Sequence, residues 1–410
     1  MTSDVAPGLA ALLLGEARGL LPDIVEIRRR IHRRPEIGTE LPRTQALIVD
    51  ELERLGLTPT LGRALSSVTA VIDGARPGPT ILLRADMDAL PVGETTGLDF
   101  ASEVAGAMHA CGHDTHVAML LGAVRLLLAR RDELPGRVLL MFQPGEEGYG
   151  GAATMIEEGL LDLPAEGPHG PVTGAFAVHI GTRYATGEIW LKPGAQMASS
   201  DVLTITVHGR GGHASAPHLA LDPIVVAAEI IVALQTTVAR RIDPFDPAIV
   251  TIANVVAGTT NNIIPDTAFM RGTMRTVSPE TRELIRELVR QVAEGIAAAH
   301  GATAEVALEP GYPVTMNDPA FAEFVLDVAR DLIGPDDVSL LPSPIMGAED
   351  FSYVLERVPG AMAFLGARPD GLDPATAPQN HSDRVVFDEP AMAVGIALYA
   401  AVALRRLEGA

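Results

Sequence analysis

Cysteine is almost absent from this 410-residue chain, which contains only Cys111. One cysteine cannot form an internal disulfide, so the sequence predicts a protein of the reducing cytoplasm. The leucine run that precedes Glu16, at residues 12–14, is too short and interrupted for a signal peptide or a membrane span. Lysine is equally scarce, and with Lys192 as the single candidate, Schiff-base chemistry is disfavoured.

Positive charge is also in short supply. The chain has 31 basic and 52 acidic residues, which gives a formal net charge of -21. Nucleic acids and anionic membranes attract basic surfaces, so neither is expected as a partner. An anionic small molecule remains compatible with this charge, because a local arginine or metal ion can outweigh the global field at one site.

The apolar pattern predicts two kinds of domain. Near-continuous apolar strands alternate with helical segments in the first part, which is typical of an α/β sheet covered on both faces. From residue 201 the pattern becomes β-α-β-β-α-β, a ferredoxin-like order, and after residue 311 the α/β pattern resumes. We predict an α/β catalytic domain with a mixed sheet flanked by helices, interrupted by an inserted α+β domain. The predicted ranges are 1–197 with 310–410 for the catalytic domain and 198–309 for the insertion.

Acidic and imidazole side chains follow the predicted strands of the first domain. Asp86 and Asp88 come after one strand, Glu146 and Glu147 after the next, and His179 ends a third. In open α/β sheets, ligands bind outside the carboxyl ends of the strands. The sequence therefore predicts that these side chains meet at one edge of the sheet.

The lone cysteine is separated from His113 by one glycine. Residues i and i+2 of a turning backbone can aim at one point, and Gly112 permits a tight turn. Thiolate and imidazole are good ligands for zinc and other late divalent metals. Taken alone, Cys111 and His113 fit a buried core thiol beside a helix-capping His-Asp pair about equally well.

The other polar clusters favour a metal centre over that alternative. Adjacent carboxylates diverge, so Glu147 or Glu146 can bind a metal while its neighbour serves as a base. A solvated acidic turn would explain the pair by itself, but His179 and the late His381 add two imidazoles. Together these residues indicate a metal-dependent hydrolytic site.

Seven segments, spread over nearly the whole chain, resemble the di-metal aminoacylase and carboxypeptidase family. The resemblance is strongest to its N-acyl-amino-acid amidohydrolases, which include hippurate hydrolases and auxin-conjugate hydrolases. The segments are His32-Arg33-Arg34-Pro35-Glu36, Arg84-Ala85-Asp86-Met87-Asp88-Ala89-Leu90-Pro91, Met108-His109-Ala110-Cys111-Gly112-His113-Asp114, Phe142-Gln143-Pro144-Gly145-Glu146-Glu147, Gly211-Gly212-His213-Ala214-Ser215, Met346-Gly347-Ala348-Glu349-Asp350-Phe351 and Asn380-His381-Ser382-Asp383.

The resemblance implies two divalent metal ions per subunit, of zinc, manganese, cobalt or nickel, and an inserted lid or dimerisation domain. Glu146 matches the general base, and His213 matches a histidine that completes a neighbouring subunit's site. Asn262 and Arg275 match positions near the polar end of the substrate. The implied metal ligands are Cys111, His113, Glu147, His179 and His381.

One departure from the broader family's pattern concerns the metal ligands. Asp86 stands where that family has a histidine, and Cys111 stands where it has a metal-bridging aspartate. Asp86 and Asp88 are then expected to orient ligands rather than to bind the metal.

The expected reaction is hydrolysis of an N-acyl amino acid or short peptide by an activated water, in a homodimer or higher homo-oligomer. Two alternatives remain at this point. One is an acyl hydrolase with Cys111 as nucleophile, and the other is a non-catalytic metal- or peptide-binding module.

Overall fold

The structure is a computed structural model that describes residues 8–163 and 169–409. Over these residues the α-helices are α1 (Leu9–His32), α2 (Pro42–Arg54), α3 (His113–Leu128), α4 (Gly151–Glu157), α5 (Pro223–Arg241), α6 (Pro279–Ala299), α7 (Pro319–Ile333), α8 (Ser352–Leu355) and α9 (Ala391–Glu408). Two short 3-10 helices cover Pro217–Leu219 and Pro335–Asp337.

The strands of the described residues are mostly short at the sheet margins and long at the centre. They are β1 (Thr60–Leu61), β2 (Val68–Asp73), β3 (Arg76–Asp86), β4 (Pro135–Gln143), β5 (His169–Ala185), β6 (Ile189–Leu191), β7 (Gly194–Met197), β8 (Asp201–His208), β9 (Gly212–His213), β10 (Ala248–Ala257), β11 (Ile263–Ile264), β12 (Thr267–Thr276), β13 (Thr303–Pro310), β14 (Thr315–Asn317), β15 (Val338–Leu340) and β16 (Gly360–Arg368).

The chain divides into two compact units. The first unit comprises the described residues up to Gly194, Met316–Pro342 and Tyr353 onwards; the second comprises Ala195–Thr315 and Ser343–Ser352. The sequence-based ranges differ from this division by a few residues at each junction, and they assigned 343–352 to the catalytic domain. That segment joins the second unit because Ala198 donates a backbone hydrogen bond to Ile345 and Ile345 donates one to Gln196.

The first unit is built on an eight-stranded sheet in the order β1-β2-β4-β3-β5-β16-β6-β15. β4, β3, β5 and β16 form its parallel centre, and β2 and β6 run antiparallel to their neighbours in it. The central strands are buried on both faces, as in β4, where all residues after Pro135 are buried. Parallel strands covered on both faces read as apolar runs, which is why the sequence revealed them.

Helices α3 and α9 pack against the central strands β3 and β5. Fourteen of the 16 residues of α3 are buried, as are 15 of the 18 residues of α9, so neither helix has a wide polar face. Small residues permit this close approach: a Cβ atom on Gly122 of α3 would lie 2.8 Å from the side chain of Ile396 in α9. The N-terminus of α3 is thereby fixed at the carboxyl edge of the sheet.

The second unit is a four-stranded antiparallel sheet in the order β10-β12-β8-β13, with α5 and α6 packed on it. This order with the chain sequence β8-α5-β10-β12-α6-β13 is the ferredoxin-like arrangement. The predicted fold class, an α/β domain with a mixed sheet plus an inserted ferredoxin-like domain, is confirmed.

Within the described residues, only α5 is long and apolar enough to cross a membrane by length and composition, with a mean hydropathy of 1.5. Such a helix is weak evidence for a span, since core helices pass the same criterion. Its residues Val226, Ala227, Ile230 and Leu234 are buried in the core of the second unit.

Candidate metal centre

The carboxyl ends of three neighbouring parallel strands bring the predicted side chains to one edge. Asp86, the last residue of β3, is in register with Gln143, the last residue of β4. His179 lies on β5, two residues after Ala177, the last β5 residue that pairs with β3. The turn that follows β4 and the loop that precedes α3 reach the same edge.

The cysteine loop depends on one glycine. Gly112 has a φ of +90°, and a Cβ atom there would lie 2.4 Å from Cγ2 of Ile180. A larger residue would be strained both by its backbone and by this contact. Because helix α3 begins at His113, the turn at Gly112 sets Cys111 and His113 on the same side of the loop.

The two adjacent glutamates sit in a turn held by Asp88. Gly145 and Gly148 flank the pair with φ values of +74° and +91°. The backbone N–H groups of Glu146 and Glu147 donate to Oδ1 and Oδ2 of Asp88, at 3.0 and 3.1 Å. Asp88 is buried, so both of its oxygens are occupied in shaping the turn. This arrangement suits the orienting role expected for Asp88.

The five predicted metal ligands lie within reach of one another. Cys111 Sγ is 3.5 Å from His179 Nε2. Glu147 Oε1 is 3.3 Å from His381 Nε2 and 3.9 Å from His113 Nε2. Two groups of three donors, Cys111 with His113 and His179 and Cys111 with Glu147 and His381, each have their ligand atoms within 4.8 Å of one another. Cys111 belongs to both groups.

His381 reaches the cluster from a strained backbone. It is the one non-glycine residue with positive φ among the described residues, at +72°. Its N–H donates to the carbonyl of Ala110 at 2.8 Å, and the neighbouring Asn380 donates to the carbonyls of Cys111 and Ile180, both at 3.0 Å. Such strain persists where the surroundings hold the backbone firmly, and it is common at functional sites.

The hydrogen bonds fix which imidazole nitrogens face the cluster. His179 Nδ1 lies 2.8 Å from the carbonyl of Ile180, so Nδ1 carries the proton and Nε2 presents its lone pair towards Cys111. His113 Nδ1 lies 3.4 Å from Asp88 Oδ1. His113 Nε2 makes no hydrogen bond within the described residues, although it is fully buried. Buried ring nitrogens nearly always have a hydrogen-bond partner, so a nitrogen without one is a candidate to bind a ligand.

The charges of the cluster also suit a cation. Hydrogen bonds to Cys111 and Glu147 raise the pKa of His381 to about 10. Burial lowers the pKa of His179 to about 3, which favours its neutral, ligating form. Burial would raise the pKa of Glu147, but the hydrogen bond with His381 and the charges of His113 and His381 together outweigh it and lower that pKa. A metal ion that binds His381 would have to displace this proton.

Asp86 is not free to serve as a ligand. Its Oδ2 accepts from Arg84 Nη1 at 2.7 Å, and its Oδ1 lies 2.5 Å from His116 Nδ1. Burial would raise the pKa of Asp86, but the charges of Arg84, His113 and His116 together outweigh it, and the pKa falls well below its usual range. Asp86 is therefore held as an anion, and its Oδ2 also lies 3.5 Å from His113 Nε2. These contacts suit the orienting role expected for Asp86.

Sequence reasoning gave little weight to several buried polar residues behind the cluster. His32 is buried, with Nδ1 2.8 Å from Asp114 Oδ2. Arg28 donates to the same oxygen at 2.7 Å. His116 is buried as well. The ionisable side chains at residues 111, 113, 114 and 116 are a sequence signal that could have pointed to Asp114 and His116.

The remaining predicted residues belong to the second unit. β9 pairs with β11 and sets His213 opposite Ile263, and Ala214 donates a backbone hydrogen bond to the carbonyl of Asn262 at 3.1 Å. His213 and Asn262 are therefore neighbours, and both are exposed. Arg275 lies on β12 and is partly buried.

Comparison with known proteins agrees with this geometry. The sequence profile of Peptidase family M20/M25/M40 matches residues 82–405. The chain belongs to this family. Thermostable carboxypeptidase 1 of Saccharolobus solfataricus is 39% identical over 401 residues, which cover 97% of this chain and 98% of that protein. IAA-amino acid hydrolase ILR1-like 4 of Arabidopsis thaliana is 36% identical, over 97% of this chain and 88% of that protein.

A solved structure shares both fold and sequence with this M20-family chain. The YXEP protein of Bacillus subtilis, described as a dinuclear metal binding peptidase, superimposes with a TM-score of 0.82. It is 35% identical, and the match covers 95% of this chain and 99% of that one. The resemblance seen in the sequence is confirmed, and the chain is a metal-dependent hydrolase that acts on amide bonds.

Replacing Asp88 by alanine would leave two buried backbone N–H groups without an acceptor. A buried unsatisfied donor costs about 1–3 kcal/mol, so we expect Asp88→Ala to lower the free energy of unfolding by about 2–4 kcal/mol. Urea denaturation measures this loss, with Asp162→Ala, a change in a loop of the same unit, as control. Equal stability of the two variants would contradict the role given to Asp88.

Proposed function

We propose that this protein hydrolyses the amide bond of N-acyl amino acids with two divalent metal ions and Glu146 as the general base. One observation carries the proposal: two donor triads share the thiol of Cys111, and Glu146 adjoins them. Because Cys111 belongs to both groups, its thiolate would help to hold both ions. The names of the relatives, a carboxypeptidase and an amino acid conjugate hydrolase, support a substrate with an amino-acid half.

Cys111, His113, Glu147, His179 and His381 would hold the two ions. When bound, the ions would activate a water and polarise the substrate carbonyl. A set of one thiolate, three imidazoles and one carboxylate suits zinc, manganese, cobalt or nickel better than magnesium.

Glu146 is placed to move the proton of the reaction. Its carboxylate lies with Glu147 and His113 in a group whose ligand atoms are within 4.8 Å of one another, and it is buried. In the proposed mechanism Glu146 accepts a proton from the attacking water and delivers it to the leaving amine.

His213 has the hydrogen-bond pattern of a donor. Its Nδ1 accepts from the backbone N–H of Ser215 at 3.1 Å and lies 2.8 Å from the Ser215 hydroxyl. Since Nδ1 presents its lone pair, the neutral ring carries its proton on Nε2. An exposed Nε2–H supports the proposed role of His213, which is to donate a hydrogen bond to the oxyanion formed on the substrate carbonyl.

Arg275 is the proposed partner of the substrate carboxylate, with Asn262 near the same polar end. The Arg275 guanidinium makes no hydrogen bond or ion pair within residues 8–163 and 169–409. The nearby buried Asp201 is already occupied, since Arg282 holds it with two hydrogen bonds of 2.9 and 2.8 Å and Arg286 with one of 2.7 Å. Burial lowers the pKa of Arg275, which reflects a charge that an anion would stabilise.

A homodimer is the proposed assembly in the cytoplasm. β10 is an edge strand of the second unit's sheet and exposes apolar side chains, with Val255 52% and Val256 59% exposed. On α5, Val232 is 66% exposed. An unpaired apolar edge is commonly covered by another chain. Sedimentation analysis that found only monomers at micromolar concentration would contradict this assembly and the proposed role of His213 in a neighbouring subunit.

The nucleophilic role of Cys111 is the second candidate, because its Sγ lies 3.5 Å from an imidazole nitrogen. Burial raises the pKa of the Cys111 thiol, which is the opposite of what an activated nucleophile needs. Family membership sets aside the non-catalytic alternative, since the matched relatives are hydrolases.

A pair of adjacent variants tests the proposed chemistry. Glu146→Gln removes the base but keeps the ligands, so we expect two bound ions per subunit and a kcat about 10²–10⁴-fold lower. Glu147→Gln is the matched control, and it should reduce the number of ions bound. Elemental analysis and turnover of benzoyl and acetyl amino acids measure both effects.

Two outcomes would refute the proposed chemistry. One is Glu146→Gln activity close to the wild-type value. The other is full activity of the enzyme after chelation, which would favour the thiol of Cys111.

The carboxylate partner is tested with substrates that differ at one group. We expect Arg275→Ala to raise KM for N-acyl amino acids about tenfold or more, and to leave KM for the corresponding amino-acid amides nearly unchanged. Arg271→Ala, on the same strand but exposed, serves as the control. The assignment of Arg275 is wrong if the two classes of substrate lose affinity equally.

A further inference from the structure

His116 is a fully buried histidine of the first turn of α3 whose two ring nitrogens both have partners. Nε2 accepts a hydrogen bond of 2.8 Å from the backbone N–H of Ile180. A backbone N–H can only donate, so Nε2 must hold a lone pair and the proton of the neutral ring must lie on Nδ1. Nδ1 then donates to Asp86 Oδ1 at 2.5 Å.

This pattern excludes His116 as a metal ligand. Its ligand atoms lie close to those of Asp86 and His113, which would be a plausible third group for a cation. However, both nitrogens are occupied, and Asp86 is also bound by Arg84. Asp86, His113 and His116 are residue types that bind metals. The hydrogen bonds of Asp86 and His116, however, go to other protein groups, so these two residues hold the neighbouring structure in place.

The residue that His116 binds, Ile180, is next to His179, one of the proposed metal ligands. Ile180 follows His179 on β5, and its carbonyl accepts from His179 Nδ1 at 2.8 Å and from Asn380 Nδ2 at 3.0 Å. The position of the Ile180 backbone therefore decides where His179 Nε2 points. His116 holds the N–H of Ile180, and its ring also packs edge-on against that of His179 with centroids 4.9 Å apart.

We propose that His116 is a positioning residue for the metal centre, which sets the direction of the His179 ligand nitrogen through the backbone of Ile180. Asp86 fixes the orientation of the His116 ring, and Arg84 anchors Asp86 while donating to Gln143 on β4 at 2.8 Å. A chain of hydrogen bonds thus connects the sheet to the proposed ligand. It leads from Arg84 to Asp86, then to His116, to the backbone of Ile180 and finally to His179. The inference rests on the metal ligands proposed above.

Two variants separate the two hydrogen bonds of His116. The amide oxygen of glutamine can lie near the position of Nε2 and accept from Ile180, whereas the amide nitrogen of asparagine can lie near Nδ1 and donate to Asp86. We expect His116→Gln to retain metal affinity within a few-fold, and His116→Asn to weaken one of the two ions about 10–100-fold.

The readouts are metal affinity, by competition with a chromophoric chelator, and the visible spectrum of the cobalt-loaded protein. His116→Asn should shift that spectrum, since the ligand geometry changes, whereas His116→Gln should not. The control is Thr80→Val, which removes a buried hydrogen bond to the carbonyl of Gly170. Thr80 lies on β3 roughly 20 Å from Asp86 along the strand. It should lower the thermal midpoint and leave both readouts unchanged.

Wild-type affinity and spectrum in both His116 variants would overturn the inference. Equal weakening in both variants, with an unchanged cobalt spectrum, would also overturn it, because it would indicate a general loss of packing. A wild-type protein that binds no ion would instead refute the proposed metal centre, and this is visible before any variant is made.

Discussion

The burial of a thiol, the imidazoles of His113 and His116 and several carboxylates at one edge of a sheet is the constraint on which the first unit depends. Such groups are costly to remove from water unless each finds a partner. Much of the surrounding structure supplies those partners: Arg84 for Asp86, two backbone N–H groups for Asp88, and Ile180 for His179. Among the described residues, His113 Nε2 is one of the buried atoms that make no hydrogen bond, and it lies 3.9 Å from Glu147 Oε1.

Parallel strands make that edge available. Because β4, β3 and β5 run in the same direction, their carboxyl ends meet, and residues far apart in sequence become neighbours. The buried helices α3 and α9 then fix the sheet on one side. The cysteine loop needs only the turn at Gly112 to bring its donors to the strand ends, which is why one glycine carries so much of the geometry.

The sequence was sufficient to predict the architecture and the convergence of the ligands. Apolar strand runs and the switch to a β-α-β-β-α-β order predicted both domain types, and the position of Asp86, Glu146 and His179 at strand ends predicted the site. The sequence could not predict which imidazole nitrogen carries a proton. That depends on partners such as the Ile180 carbonyl, which have no sequence signature because they are backbone atoms. The contact between His32 and Asp114 could not be predicted either, because the two residues are 82 positions apart in the sequence.

The departure at Asp86 can be understood from its contacts. An aspartate in place of a histidine ligand removes one donor from the metal, and a buried carboxylate needs cationic or N–H partners of its own. Arg84 and His116 provide these partners. Asp86 thereby orients His116, which in turn binds the backbone N–H of Ile180 beside His179. In the proposed centre, Cys111 would supply an anionic donor instead, since it belongs to both triads. On this argument the aspartate and the cysteine are a coupled pair. A histidine at residue 86 would remove the carboxylate that accepts from Arg84 and His116, so one substitution alone cannot recreate the broader family's site.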